Sequence, residues 1–321
     1  LIATNLEMLE SEGIANFKRT VSNNYYNWVV HTAGDPQLKR AVANWLRHPT
    51  PGPLINRMGT ADGLRMLGRP DKITLQGRER WRYKFFVGEA WEVARRNDSL
   101  GLTDRLAEPE VGNPIRIWYR GRLISQDLAN SILELSFIAR AGIVRSGARI
   151  AELGAGYGRL AFAFAEACPL TYCIFDIPPA LAVAQWYLTA VFGEDRVVGY
   201  APTNTFDSVA ARLVPGVVAL FTPDQLDTFP DDWFDGIQTI STLPEMPRSQ
   251  SSRYLELFAS KSSDAIFLKQ WQYWRNEADD AALDESQYAL PAPWQLTARR
   301  VDPLQPAFFN QLWTKAATRA S

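Results

Sequence analysis

A glycine-rich segment at 154–158, with the sequence Gly-Ala-Gly-Tyr-Gly, has the residue types and spacing of a ligand-binding turn. It follows the apolar segment 149–153 and precedes an apolar-periodic segment that begins at Arg159, so we expect it to join a strand to a helix. Glycine lets a ligand approach the backbone of such a turn, because a side chain there would block it. The pattern therefore predicts a cofactor site.

Two residues beside this turn distinguish between cofactor classes. A dinucleotide fingerprint, GxGxxG, needs glycine at its sixth position for close helix packing, but that position, counted from Gly154, is Arg159. Glu152 precedes the first glycine by two residues, where a carboxylate would repel a pyrophosphate. The same carboxylate can pair with the ammonium of S-adenosylmethionine, which has no phosphate. We therefore expect S-adenosylmethionine, and a nicotinamide oxidoreductase is the less favoured alternative.

Acidic and polar residues at the ends of the next two strands extend the predicted cofactor site. Asp176 ends the second strand, 20 residues after Gly156, which is the spacing at which an acid reaches ribose hydroxyls in such folds. The third strand ends in a polar loop with Asp224, Gln225 and Leu226, which we expect to hold the adenine edge. For Asp224, a helix cap is an equally good interpretation.

The glycine turn and the helix before the first strand supply the remaining contacts. Tyr157 lies inside the turn and is expected to face the cofactor or the acceptor. Gln126 opens the preceding helix and is placed at the cofactor rim, although a plain helix start explains it equally well. The cofactor contacts predicted from the residues are Glu152, Gly154, Ala155, Gly156, Tyr157, Gly158, Asp176, Asp224, Gln225, Leu226 and Gln126.

Two residues are candidates for the base of a methyl transfer to a hydroxyl. Such a transfer needs help with the hydroxyl proton, which a base or a metal can give. Glu245 follows the fourth strand, on the sheet edge where ligands bind in open α/β folds, and is the first candidate. The competing interpretation makes Glu245 a cap of the helix that begins near Arg248. His31 is the second candidate, with a structural histidine as its alternative.

Aromatic and basic side chains are expected to meet the acceptor. We expect Tyr25, Tyr26 and Trp28, which belong to an unusually polar-aromatic run, to line the acceptor pocket together with Tyr157. Lys269 ends the fifth strand and is expected to hydrogen-bond the acceptor. A buried stem with a solvated ammonium is the alternative for this lysine.

Hydrophobic periodicity predicts a helical amino-terminal region followed by an α/β domain. Residues 1–120 are expected to form a cap or lid, and residues 121–321 the cofactor-binding domain. From position 149 onward, short strands alternate with helices, and two final strands flank a proline-rich turn. The fold class is therefore a Rossmann-like methyltransferase sheet, parallel with an antiparallel carboxyl-terminal hairpin. Predicted strands cover 149–153, 172–176, 217–221, 234–240, 265–270, 295–301 and 308–313, and predicted helices cover 80–96, 125–142, 159–167, 179–192 and 249–259.

Composition excludes several classes of protein and partner. The chain of 321 residues has 34 basic and 35 acidic residues. Its net charge of −1 gives no positive electrostatic field that would attract nucleic acid. Cys168 and Cys173 are expected to be unpaired thiols, and with two histidines and no paired-cysteine motif no metal site is expected. No apolar run is long enough to span a membrane and no signal-peptide pattern is present, so a cytoplasmic location is expected. A homo-oligomer remains open.

Four segments together resemble the bacterial sugar O-methyltransferase family, within the class I S-adenosylmethionine-dependent superfamily. They are 152–159, 175–178, 241–246 and 268–271, and the similarity continues upstream through 16–20 and 125–128. The resemblance implies a sugar or glycosylated small molecule as acceptor, and it adds Ile177 and Ser241 to the cofactor contacts. A phenol or amine acceptor and a catalytically silent binding protein are the alternatives.

Overall fold

A computed structural model gives the structure of the protein and describes residues 13–20, 77–275, 282–305 and 308–315. The chain divides into two compact units, Leu1–Glu134 with Pro303–Pro306 and Leu135–Asp302 with Ala307–Ser321. The predicted boundary at 120/121 and the lid role of residues 1–120 stay predictions. Within the described ranges, no helix has the length and apolarity needed to cross a membrane.

The described part of the first unit combines two helices with a small hairpin. Its elements are α1 (Phe17–Thr20), α2 (Gly77–Asn97), β1 (Ile117–Tyr119), β2 (Arg122–Ile124) and the start of α3 (Gln126–Ile138). The helix α2 confirms the prediction for 80–96. The strands β1 and β2 pair antiparallel across Arg120 and Gly121, whose positive φ angles of 50° and 76° are those of a tight hairpin turn.

The start of α3 is capped by Ser125. The Ser125 hydroxyl accepts a hydrogen bond from the Leu128 amide at 2.9 Å, which satisfies one of the amides that a helix start leaves open. The same hydroxyl donates to the buried carboxylate of Glu108 at 2.6 Å, and Lys18 forms an ion pair with that carboxylate. This buried network ties α1, α3 and the segment before β1 within the first unit.

The second unit is built on one eight-stranded sheet. Its strands are β3 (Arg149–Leu153), β4 (Thr171–Phe175), β5 (Val197–Val198), β6 (Val218–Phe221), β7 (Phe234–Ile240), β8 (Ser262–Trp271), β11 (Trp294–Val301) and β12 (Phe308–Lys315). Their order across the sheet is β11-β12-β8-β7-β3-β4-β6-β5. The six strands from β8 to β5 are parallel, whereas β12 and β11 add antiparallel pairs at one edge. The predicted fold class is therefore confirmed.

The helices of this unit lie in the connections between the parallel strands, as an alternating pattern requires. They are α4 (Arg159–Ala167), α5 (Pro178–Phe192), α6 (Phe206–Val209) and α7 (Arg248–Lys261). The chain moves from β3 to β4 on one side of β3 and later returns to β7 on its other side. Strand order therefore reverses at β3, and ligands of open α/β sheets bind at the carboxyl ends of strands beside such a reversal.

The strand β5, the four-residue helix α6 and one hairpin of the second unit were not predicted. The strand β5 has only two residues, too few for a periodic signal. A hairpin of β9 (Tyr273–Arg275) and β10 (Ala282–Asp284) follows β8 directly, in a segment that sequence periodicity left unassigned. All of these elements are short, and short segments give little hydrophobic periodicity.

Phenylalanines fill the core on one face of the sheet. Phe175 stacks on Phe221 at 5.3 Å between ring centroids, and Phe229 approaches Phe221 at 5.2 Å and Phe234 at 5.0 Å. Leu226, in the loop after β6, is 1% exposed and belongs to the same cluster. The loop after β6 is therefore anchored in the core by its own apolar side chain.

We expect Leu226→Ala to lower the free energy of unfolding by about 2 to 5 kcal/mol, because it leaves a cavity in a packed core. Leu296→Ala on the edge strand β11 is the matched control, since Leu296 is 44% exposed and its truncation should cost no more than about 0.5 kcal/mol. Urea titration of both variants measures the difference. Equal losses would contradict the placement of Leu226.

Candidate active site

The loops that follow β3, β4, β6 and β7 lie at one edge of the parallel sheet. Each of these strands is parallel to its neighbour, so their carboxyl ends share that edge. The predicted cofactor residues from 152 onward, together with Glu245, occur in these strand ends and loops. The fold therefore brings them to the edge where ligands bind in such sheets.

The glycines of the turn after β3 are required for different reasons. Gly154 has a φ of +77°, and a Cβ there would lie 1.8 Å from the Thr242 hydroxyl oxygen, so the close approach of the loop after β7 excludes a side chain. Gly158 has a φ of +86° and precedes α4, where a Cβ would lie 2.9 Å from Leu188. Gly156 has a φ of +58° but open space around its Cβ position. Gly156 is thus the glycine that leaves room for a ligand.

Asp176 connects the end of β4 to this glycine turn. Its carboxylate accepts a hydrogen bond from the Gly156 amide at 2.7 Å and another from the Ile177 amide at 2.7 Å. Burial raises the pKa of Asp176 to about 6, against the lowering effect of the two amide hydrogen bonds. Ile177, which begins the approach to α5, is one of the exposed large apolar residues. An acidic acceptor and an apolar surface therefore stand side by side at the edge.

Glu152 lies in β3 itself, beneath the glycine turn. Its side chain is buried, and its carboxylate accepts a hydrogen bond from the Tyr172 hydroxyl at 2.7 Å. Tyr172 is on the neighbouring strand β4 and in turn accepts a hydrogen bond from the Gln238 amide on β7. Glu152 is thus a carboxylate held by its neighbours inside the sheet, a contact that sequence reasoning missed.

Two residues inside the glycine turn are largely enclosed by protein. Tyr157 is buried, and its ring packs edge-on against Tyr187 of α5 with 5.2 Å between centroids. Ala155 is also buried. The expectation that Tyr157 faces the cofactor or the acceptor stays a prediction.

The loop after β6 requires three corrections. The residue that precedes its 3-10 helix, Pro223–Thr228, is Thr222, so Asp224 is not its cap, and Asp224 is exposed. The Gln225 side chain accepts from the Thr222 amide at 2.7 Å and donates to the carbonyls of residues 201 and 204, so it positions this loop. Leu226 lies in the core and is not available to a ligand. Of the three predicted contacts in this loop, Asp224 is the one exposed to solvent.

Ser241 has a strained backbone at the end of β7. Its φ of +57° is uncommon for a residue with a side chain, and such strain persists where the surroundings fix it. The Ser241 amide donates to the carbonyl of Lys269 at 2.8 Å, and its hydroxyl accepts from the Trp271 indole at 3.0 Å. Trp271, at the end of β8, therefore anchors the start of the loop that carries Glu245.

Glu245 is not the cap of the following helix. The helix α7 begins at Arg248 with Pro247 before it, and no hydrogen bond to the Glu245 carboxylate occurs among the described residues. The side chain reaches solvent, yet surrounding protein atoms strip part of the hydration from its carboxyl group. This desolvation first, and the nearby carboxyl of Asp176 second, raise the pKa of Glu245 above its ordinary value.

The ammonium of Lys269 neither lies in solvent nor is open to an acceptor. Its ammonium forms an ion pair with Asp302 at 2.9 Å, and both side chains are only 1% exposed. Asn310, directly opposite Lys269 on β12, donates to the same carboxylate at 3.1 Å. The predicted role of Lys269 is therefore wrong, because a buried ammonium needs a charge partner inside the protein.

The remaining predicted residues do not occur in the second unit or are not described. Gln126 belongs to the first unit, where it is buried with no hydrogen-bond partner for its amide oxygen. His31, Tyr25, Tyr26 and Trp28 lie outside the described residues. Among the residues that the structure describes, no cluster of three or more His, Cys, Asp or Glu side chains could hold a metal ion.

Several solved structures resemble parts of this chain at low sequence identity. The magnesium protoporphyrin IX methyltransferase from Synechocystis PCC 6803, solved with bound S-adenosylmethionine, is 14% identical over 71% of this chain and 97% of its own, with a TM-score of 0.39. The mitomycin 7-O-methyltransferase MmcR is 15% identical over 84% of this chain and 74% of its own, with a TM-score of 0.38. The cyclase SpnF is 14% identical over 58% and 81% of the two chains, with a TM-score of 0.38.

Likeness of this degree concerns the fold, and one fold hosts unrelated activities. No protein-family model matches the sequence, and no curated protein matches it either. What the chain does must therefore follow from the geometry of the site.

The two glycines of the turn should respond differently to alanine. We expect Gly154→Ala to lower the melting temperature strongly, because the new methyl group overlaps the Thr242 hydroxyl. Gly156→Ala has open space and should cost only the left-handed backbone strain, about 1 to 2 kcal/mol. Thermal unfolding of both variants measures this difference, and a Gly156→Ala variant that is the less stable of the two would contradict the geometry.

Proposed function

We propose that the protein is an S-adenosylmethionine-dependent O-methyltransferase. The observation that carries the proposal is the hydrogen bond between Gly156 and Asp176, which places a glycine turn with an open surface against an acid at the end of the next strand. A ribose fits this arrangement because its hydroxyls can donate to the carboxylate while its ring approaches the glycine.

The neighbouring residues favour S-adenosylmethionine over a dinucleotide. Arg159 occupies the position where a dinucleotide fingerprint needs glycine, and Glu152 puts a buried carboxylate beneath the turn. Glu152 would pair with the ammonium of the methionine portion. Ile177 would cover one face of the adenine, and Asp224 would accept from its amino group. The residues present thus fit each part of the cofactor.

The reaction requires the protein to align the acceptor with the cofactor and to accept one proton. The acceptor oxygen attacks the methyl carbon in line with the sulfonium, the new carbon–oxygen bond forms as the carbon–sulfur bond breaks, and the electron pair stays on sulfur as a thioether. The acceptor proton passes to the Glu245 carboxylate. A carboxyl whose pKa is raised accepts a proton more readily than an ordinary one, which suits Glu245 to this role.

The chemical class of the acceptor is the most specific part of the proposal. The resemblance of segments 152–159 and 241–246 to the sugar O-methyltransferase family supports a sugar or glycosylated small molecule, and the predicted acceptor contacts Tyr25, Tyr26 and Trp28 lie outside the described residues. Assays with labelled cofactor against panels of glycosides, phenols and amines test this class directly. Transfer to phenols or amines with none to glycosides would contradict the sugar assignment and leave the methyltransferase assignment intact.

Cofactor affinity should fall as the pH drops through about 6. The pKa of Asp176 is raised to about 6, so the carboxylate that accepts from the ribose hydroxyls is present above that pH and lost below it. We expect the Kd for S-adenosylmethionine, measured by calorimetry from pH 5 to 8, to rise below pH 6 by a factor that approaches about ten as Asp176 is protonated.

Two variants separate this titration from other groups. Asp176→Asn should bind more weakly at pH 7.5 by a factor of about ten, corresponding to a lost charged hydrogen bond, and should show no transition near pH 6. Glu245→Gln should keep the transition. A parent protein whose affinity does not change over this range contradicts the role of Asp176, and one that does not bind S-adenosylmethionine contradicts the proposed function.

Removal of the proposed base should reduce turnover without affecting cofactor binding. We expect Glu245→Gln to lower kcat by roughly a hundredfold or more, because proton removal contributes only on the way to the transition state. Cofactor affinity and melting temperature should stay near the parent values. Glu256→Gln on the exposed side of α7 is the matched control and should leave kcat unchanged. Normal turnover of the Glu245 variant would move the role to His31, to a metal or to alignment alone.

A further inference from the structure

A chain of buried polar side chains crosses three adjacent strands of the sheet beneath the glycine turn. The Gln238 amide on β7 donates to the Tyr172 hydroxyl oxygen on β4, and the Tyr172 hydroxyl donates to the Glu152 carboxylate on β3 at 2.7 Å. All three side chains are at most 2% exposed. Glu152 and Gln238 are direct neighbours in the parallel register of β3 and β7, and the Tyr172 hydroxyl contacts both from β4.

The direction of these hydrogen bonds is fixed by what each group can do. A carboxylate has only acceptors, so the single hydroxyl hydrogen of Tyr172 must point at Glu152. The tyrosine oxygen then keeps a lone pair for the Gln238 amide, which is a donor. Burial first, and the Glu152 charge second, hold the pKa of Tyr172 well above its usual range, so the phenol keeps its proton.

The ring of Tyr172 is fixed as firmly as its hydroxyl. It packs against Phe164 of α4 with 5.3 Å between ring centroids. The helix α4 starts at Arg159, directly after the glycine turn. The Tyr172 ring therefore contacts the helix that follows the turn, while its hydroxyl contacts the carboxylate beneath the turn. A phenol held in this way limits the positions that the Glu152 carboxylate can adopt.

We propose that Tyr172 and Gln238 are positioning residues that aim the Glu152 carboxylate at the ammonium of the cofactor. The inference rests on the proposed function and goes beyond it, because it assigns a role in amino-acid recognition to two residues inside the sheet. The physical reason is preorganisation: a buried carboxylate that is already oriented binds a cation without ordering itself first. Tyr172 and Gln238 touch neither the cofactor nor the acceptor.

A structural role and a positioning role give different binding patterns. If the Tyr172 hydroxyl had only a structural role, its removal would lower the stability of the protein. It would also weaken the binding of every ligand at this edge of the sheet to the same degree. A positioning hydroxyl affects only ligands with the amino acid portion, which bears the ammonium. S-adenosylhomocysteine carries that portion, whereas 5′-methylthioadenosine lacks it and retains the adenine, ribose and sulfur.

The experiment is calorimetric titration of Tyr172→Phe with both ligands. We expect the Kd of S-adenosylhomocysteine to rise roughly tenfold, the effect of losing one hydrogen bond to a charged group, and the Kd of 5′-methylthioadenosine to change less than about twofold. Tyr254→Phe is the matched control, because Tyr254 is buried in α7 away from this chain, and it should change neither value. In a Glu152→Gln background, Tyr172→Phe should have no further effect on S-adenosylhomocysteine.

A second variant keeps the test decisive if Tyr172→Phe does not fold. Gln238→Met removes the donor to the phenol at similar volume and should weaken S-adenosylhomocysteine selectively, by a smaller factor. Equal weakening of both ligands, or no change in either, overturns the inference while the proposed function stands. A parent protein that binds neither ligand overturns the proposed function, and the inference with it.

Discussion

The hydrogen bond from the Gly156 amide to the Asp176 carboxylate is the constraint on which the candidate site depends. It fixes the turn after β3 against the end of β4, and so sets the distance between the open glycine surface and the acid. Gly154 and Gly156 both adopt positive φ angles in this turn, a backbone conformation that glycine reaches without steric cost. The cost is desolvation of a carboxylate, visible as its raised pKa of about 6.

The fold could be predicted from the sequence because its signals are local. Strands such as β3 and β7 and the helix α4 lie where apolar runs, glycines and changes of periodicity place them. The antiparallel β11 and β12 followed from length and a proline-rich turn. The strand β5 and the β9–β10 hairpin were missed because a segment of two or three residues has no measurable period.

Side-chain roles that depend on distant partners could not be predicted. Lys269 was assigned to the acceptor because it ends a strand at the correct edge, but Asn310 on β12 lies opposite it and Asp302 neutralises it. Gln225 was assigned to the cofactor because its loop is polar, but its amide holds carbonyls more than twenty residues earlier. Both partners are fixed by register and packing, which composition and spacing do not encode.

Three carboxylates of the site, Glu152, Asp176 and Glu245, differ in depth, and the difference suits a reaction that cancels charge. Glu152 is held by a phenol inside the sheet, Asp176 by two amides at its edge, and Glu245 reaches solvent. In the proposed reaction the sulfonium loses its positive charge as Glu245 takes up a proton, so the edge starts and ends with the same net charge. Because the cation and one anion disappear together, the attraction that draws the cofactor in is weakened for the product, which favours its release.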